Sequence, residues 1–194
     1  TLSFDLNIKE HLAKYKQRMF PDATNGYWTR SNPPKELNYA FDPKDEDLNL
    51  IQEFKDEFLK YESEQKGKIK RHIYFHHLNS SQAMCFNFFY PLISAHQLDY
   101  VTDYLGHKEE IDYSSVCFEK ESDIDSQGGR RPTNFDFYFK TKLGKQFFFE
   151  IKYTEQDFGK APKDKNDPKQ FAAEYIDKYN AVYKDRLNSI KPEY

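Results

Sequence analysis

A chain of 194 residues has the length of one domain and can bury a core without disulfides or a structural metal. Its formal charge of -3 excludes a protein whose whole surface attracts polyanions, so nucleic-acid contact has to use local basic patches. No apolar run reaches bilayer length and no secretory pattern opens the chain, while Cys85 and Cys117 sit among apolar neighbours. These features predict buried thiols, no membrane partner and a cytoplasmic protein.

In chain order, residues 6–19 place Ile8, Leu12, Tyr15 and Met19 on one stripe and predict a helix. The stretch from Pro21 to Ala40 reads as irregular. A second helix is predicted from Asp42, with Pro43 in its first turn and Leu48, Ile51, Phe54, Phe58 and Tyr61 on its apolar face, ending near Lys66. Residues 1–70 are therefore expected to form an N-terminal helical appendage, and 71–194 the core. In the core, Asn79, Ser80 and Ser81 offer N-cap side chains to a buried helix over 83–93. Strands are predicted at about 113–119, 133–141 and 146–154, and a last helix from Asp167 and Pro168 through Phe171, Tyr175, Tyr179, Val182 and Leu187. This order gives the fold class: an α/β sandwich on a mixed sheet flanked by helices.

The second and third strands carry the most informative pattern. Phe135, Phe137 and Phe139 alternate with Asp136, Tyr138 and Lys140; Phe147, Phe149 and Ile151 alternate with Phe148, Glu150 and Lys152. A three-residue connection, Lys142-Leu143-Gly144, puts glycine where a type I turn with a G1 bulge needs a left-handed residue. Thr141 then faces Lys145, and Asp136 lies opposite Glu150 with Cβ atoms about 5 Å apart. Directly opposed carboxylates repel, so the pair is better explained by a cation between them. Magnesium is the natural one, since it takes hard oxygen ligands and keeps several waters. Lys152, on the same face, can orient or activate an attacking water and offset charge developing at phosphorus. The competing explanation is an exposed hairpin whose polar face is a salt bridge; Phe148 on that face argues that it is partly covered.

Asp136 followed by Glu150-Ile151-Lys152 on the next strand resembles the PD-(D/E)XK nuclease superfamily, with its restriction-endonuclease-like fold. The strings His77-Leu78-Asn79-Ser80-Ser81-Gln82-Ala83, Thr133-Asn134-Phe135-Asp136 and Glu150-Ile151-Lys152-Tyr153-Thr154-Glu155 resemble a bacterial branch of such proteins, over about residues 72–190. Phe135 stands where the family name has proline. Glu53-Phe54-Lys55 and Glu64-Gln65-Lys66 repeat the Glu-X-Lys spacing but fall on a predicted helix. The resemblance implies a magnesium-dependent nuclease, with manganese as substitute, acting on DNA rather than RNA. It makes Asp136, Glu150, Lys152 and Gln82 the catalytic set, with Asp136, Glu150 and the carbonyl of Ile151 on the metal. The alternative it leaves open is a catalytically silent nuclease fold that binds nucleic acid or a protein. Superfamily cores add strands after the post-motif helix, whereas this chain stops at Tyr194. That implies a core cut short or a sheet edge left open to a second copy.

For nucleic-acid contact, the candidates are Ser81 at the N-terminus of the buried helix, Lys70, Arg130 and Arg131. Lys66, Lys68, Lys70 and Arg71 form one basic run; Lys140, Lys142 and Lys145 another; Lys160, Lys163, Lys165 and Lys169 a further one. His72, His76 and His77 match no standard zinc spacing and read as stacking groups or plain surface. Of Glu119, Glu121, Asp123 and Asp125, one is a candidate to join the metal site.

Overall fold

The apolar stripe of the first segment produces helix α1 (Phe4–Met19) in the computed structural model of the chain, which describes residues 3–122 and 133–155. Leu12 is the stripe's buried member, whereas Met19 is exposed. The unexpected buried residue is Lys16. Its ammonium donates to the Thr24 carbonyl at 3.0 Å and to Asn25 Oδ1 at 2.5 Å, and lies 5.4 Å from the Phe41 ring. A charge taken from water is tolerated only when paired in this way, and here it ties α1 to the next element.

That element corrects the sequence reading. Residues 21–40 are not irregular and the first third is not purely helical: β1 (Asn25–Trp28) and β2 (Lys35–Phe41) form an antiparallel hairpin. Its register slips between Asn25 and Gly26, and a Cβ on Gly26 would meet the Phe41 carbonyl oxygen at 2.3 Å, so only glycine fits the slip. The far edge of β2 pairs with the chain ahead of the buried helix: Phe41 N–H donates to His76 O at 2.9 Å, and Leu78 N–H to Tyr39 O at 3.1 Å.

The predicted helix of 42–66 is broken in two. Asp42 caps a 3-10 turn, Pro43–Asn49, by accepting from Lys44 N–H at 3.0 Å; helix α2 (Lys55–Glu64) starts only after an extended Leu50. The break has a cause. Asn87 donates to the Asn49 carbonyl at 2.8 Å and accepts from Ile51 N–H at 2.9 Å, which takes both backbone groups out of helical use. Arg71 then joins the two pieces, bonding Glu46, Asp47 and Glu62 at 2.6–2.9 Å.

Helix α3 (Ser81–Ser94) is the expected buried one, capped by the Ser80 hydroxyl accepting from Ala83 N–H. A short α4 (Asp99–Tyr104) follows, then β3 (Ile111–Glu121), β4 (Asn134–Thr141) and β5 (Gln146–Phe149), ordered β3-β4-β5. Both described sheets are small and antiparallel, where a mixed sheet was expected. The hairpin register is the one the turn dictates. Phe137 faces Phe149 and Lys140 faces Gln146, Thr141 N–H donates to Lys145 O at 2.8 Å, and Gly144 takes φ +90°. Continuing that register sets Asp136 opposite Glu150.

Phenylalanine fills the core. Phe89 of α3 stacks on Phe137 of β4 at 3.9 Å, and Phe118 of β3 lies 5.0 Å from Phe137 and 4.9 Å from Phe86. The described residues up to Lys120, with Asn134–Glu155, make one compact unit. The predicted last helix of 167–187 lies outside the described residues. Phe137→Ala is expected to lower the unfolding free energy by about 3–5 kcal/mol in urea titration, while Leu143→Ala at the exposed hairpin tip stays within about 0.5 kcal/mol.

Candidate functional site

The site begins where β5 ends. The predicted third strand ran to 154, but pairing stops at Phe149, because the next backbone donor is diverted: Ile151 N–H donates to Asp136 Oδ2 at 2.6 Å. Glu150, Ile151 and Lys152 thus lie just past the strand and wrap the Asp136 carboxylate. Lys152 Nζ donates to Glu150 Oε1 at 2.6 Å. From behind, the Cys85 thiol of α3 donates to the Asp136 carbonyl at 3.7 Å, and burial pushes that thiol's pKa far up, so it remains a donor. Cys117 is half-buried.

Electrostatics separates the three side chains. Burial pushes the Asp136 carboxyl up to about 6; the Ile151 N–H opposes this, and the charges of Glu150 and Glu119 add to it. Partial burial works against the Lys152 ammonium. The bond to Glu150, with the charges of Asp136 and Glu155, still holds it above its ordinary value. Lys152 is therefore a cation at neutral pH, suited to stabilising negative charge. Phe148, expected to be covered, is exposed, although its ring lies 4.8 Å from Phe135 and 4.9 Å from Tyr138.

Gln82 reaches this region as a tether. Its amide accepts from His72 N–H at 2.7 Å and donates to Lys70 O at 2.9 Å and to Glu119 Oε1 at 2.6 Å. Asp123 and Asp125 of the acidic run lie outside the described residues; of the other two, Glu119 is the one that the fold turns inward: within β3 it takes φ +55°, and it also accepts from Asn134 Nδ2. A non-glycine residue in that conformation persists only when its surroundings hold it there. No spacing rule would have singled it out, since the signal is backbone geometry.

Ser81 lies at the head of α3, where its hydroxyl helps hold Glu155. Partial burial works against the Glu155 charge, but the backbone N–H groups of Tyr153 and of Glu155 itself, with the Ser81 hydroxyl, keep its carboxyl below the usual range. The Lys70 side chain is exposed. Arg130 and Arg131 lie outside the described residues. Two basic runs are partly spent internally: Arg71 in its acidic trio, and Lys140, Lys142 and Lys145 on Asp112, Glu110 and Glu109. His76 and His77 are buried, which removes the reading as plain surface. Among the described residues, no group of three or more His, Cys, Asp or Glu side chains is placed to hold a metal.

A helix followed by a three-strand meander, with two carboxylates and a lysine gathered at the mouth of its hairpin, is consistent with a restriction-endonuclease-like α/β fold. The sequence model of the family described as Restriction Endonuclease associating with ARP matches residues 9–194, and the chain belongs to that family. Membership points to a nuclease-like function, and the matched span takes in the first hairpin as well as the core. No curated protein and no solved structure matches the chain. Among the described residues no helix is long and apolar enough to cross a membrane.

Asp136→Asn keeps an oxygen acceptor for Ile151 N–H and removes a charge that burial penalises. The Asp136 carboxyl titrates near 6 when folded and near 3.8 when unfolded, so its protonation favours the fold at low pH and that gain is lost as pH rises through about 6. Without metal, the variant is accordingly expected to be more stable than the parent at pH 8, by at most about 3 kcal/mol. The difference should shrink as pH falls from 6 towards 4, as read by thermal melts across that range.

Proposed function

We propose that this chain is a magnesium-dependent nuclease of the PD-(D/E)XK type that hydrolyses phosphodiester bonds in DNA. The observation that carries the reading is a carboxylate, Asp136, kept half-buried at a raised pKa beside a second one, Glu150, on a hairpin whose register aligns them. Such a pair fits a hard divalent cation, which takes one or two protein carboxylates and completes its shell with water and substrate phosphate. Asp136 and Glu150 would hold the ion, with the Ile151 carbonyl as a third contact. Bound there, the ion would polarise the scissile phosphate and lower the pKa of an attacking water.

The chain's own contribution is positional. Ile151 N–H fixes one oxygen of Asp136, and Lys152 brings a positive charge to the side where negative charge grows at phosphorus. Gln82 holds Glu119 and the 70–72 backbone in place, which makes it a positioning residue in this scheme. Ser81, Lys70, Arg130 and Arg131 are proposed to meet the nucleic-acid backbone, so binding should weaken steeply with salt.

One contact favours the rival reading of a silent nuclease fold: Lys152 and Glu150 pair with each other at 2.6 Å, a structural role that needs no turnover. Cleavage of plasmid and single-stranded DNA with magnesium, manganese or chelator separates the two. The nuclease reading expects metal-dependent cutting, reduced by about 10²–10³ in Asp136→Ala and in Lys152→Ala. Salt-sensitive binding without cutting by the parent would instead establish the silent module.

A further inference from the structure

Beside the motif hairpin lies a cleft of about 410 Å³ whose rim includes Ser81 and Gln82 and whose aromatic wall has no role in the scheme above. The N-terminal segment supplies Lys9, Trp28 and Tyr39; the stretch ahead of α3 supplies Tyr74, His77 and Asn79; Thr154 and Glu155 close it from the motif side. Its rings differ in kind from the core's. Where the core is phenylalanine, the cleft wall is Trp28 stacked on Tyr74 at 4.8 Å and 24°, Tyr74 packed on His77 at 5.0 Å and 32°, and Tyr39 edge-on to His77 at 6.1 Å. Rings with a polar tip suit a surface that must meet both an apolar face and polar groups. Cations lie over this wall: Lys9 is 5.5 Å from the Tyr39 ring and Arg30 is 5.6 Å from Tyr74.

We propose that this cleft receives a single unpaired base of the nucleic-acid strand, stacked against the Trp28–Tyr74 wall, while the adjoining phosphodiester reaches the hairpin. The identity of the substrate rests on the nuclease reading. The volume is in the range of small-ligand sites. Base faces stack on aromatic side chains, and an extruded base presents donors and acceptors together. Two wall residues carry polar atoms that lack a partner among the described residues: His77 Nε2 and Asn79 Oδ1, both closed off from solvent, on a histidine that is 7% exposed. Native folds seldom leave such atoms unpaired. Burial, with the neighbouring His76, His72 and Lys9 charges, pushes the His77 imidazole down to about 4, so the ring is neutral and offers one donor and one acceptor. The cleft also connects physically to the cutting site. Asn79 Nδ2 donates to Thr154 Oγ1 at 3.0 Å, two residues past Lys152, and Gln82 at its rim holds Glu119.

Trp28 is the chain's single tryptophan, so its emission reports on this wall alone. The full chain is titrated, with chelator to prevent cutting, with a fully paired DNA duplex, the same duplex carrying one bulged-out base, and a single strand. Quenching by the bulged duplex and the single strand but not by the paired duplex is expected. Tyr74→Leu, which keeps an apolar contact for Trp28 but removes the stacking face, should weaken bulged-duplex binding about 5- to 150-fold, read by anisotropy of a labelled probe after circular dichroism confirms folding. Asp136→Asn should leave the quench unchanged, so loss of cutting and loss of base capture are read separately. Equal quenching by all probes, quenching by none, or unchanged affinity in Tyr74→Leu would overturn the proposal even if the parent cuts plasmid. Quenching by free mononucleotides but not by oligonucleotides would overturn it too, assigning the cleft to a small molecule.

Discussion

The hydrogen bond from Ile151 N–H to Asp136 Oδ2 organises the rest of this molecule. It ends β5 at Phe149, because a donor that would have continued the ladder is spent on a side chain. The chain then turns, bringing Glu150 and Lys152 around the same carboxylate and carrying Thr154 and Glu155 on to the head of α3. Asp136 can be held there only because Phe137 next to it is locked into the core against Phe89 and Phe118. Folding therefore stores an unfavourable, half-buried charge at one point, which a bound cation would relieve. Sites of reaction are commonly the places where a fold accepts such a cost.

The first hairpin belongs to this arrangement rather than standing apart from it. Its second strand, β2, bonds the 76–78 backbone directly, and the buried amide of Asn49 donates to the Phe75 and His77 carbonyls at 2.6 and 2.7 Å. The stretch that leads into α3 is thus fixed from two sides before the helix begins. The same fixing places Trp28, Tyr39, Tyr74 and His77 together, so the segment that supports the site also lines a cleft beside it.

Local signals explain which parts were legible in the sequence. Strict alternation and Gly144 set the hairpin register to the residue, and the Ser80 cap with the apolar run after it located α3. Both are short-range patterns whose physics is contained in neighbouring residues. The features that were missed are held by distant partners. β1 and β2 lack alternation and are stabilised by pairing with 76–78; the break before α2 depends on Asn87; the end of β5 depends on a side chain fifteen residues earlier. Trp28 and Tyr74 show no relation in sequence at all. Glu119 could be weighed only as one of four acidic residues until its positive φ turned it towards Gln82.

Everything proposed for the hairpin depends on Asp136 and Glu150 forming one divalent-cation site. Titrating the parent chain with manganese and following the loss of free-ion paramagnetic signal tests it directly, without requiring turnover. One manganese per chain is expected to bind, to be displaced by magnesium and to be lost in both Asp136→Asn and Glu150→Gln. Binding that survives both substitutions, or no binding by the parent with a nucleic-acid strand present, would contradict it.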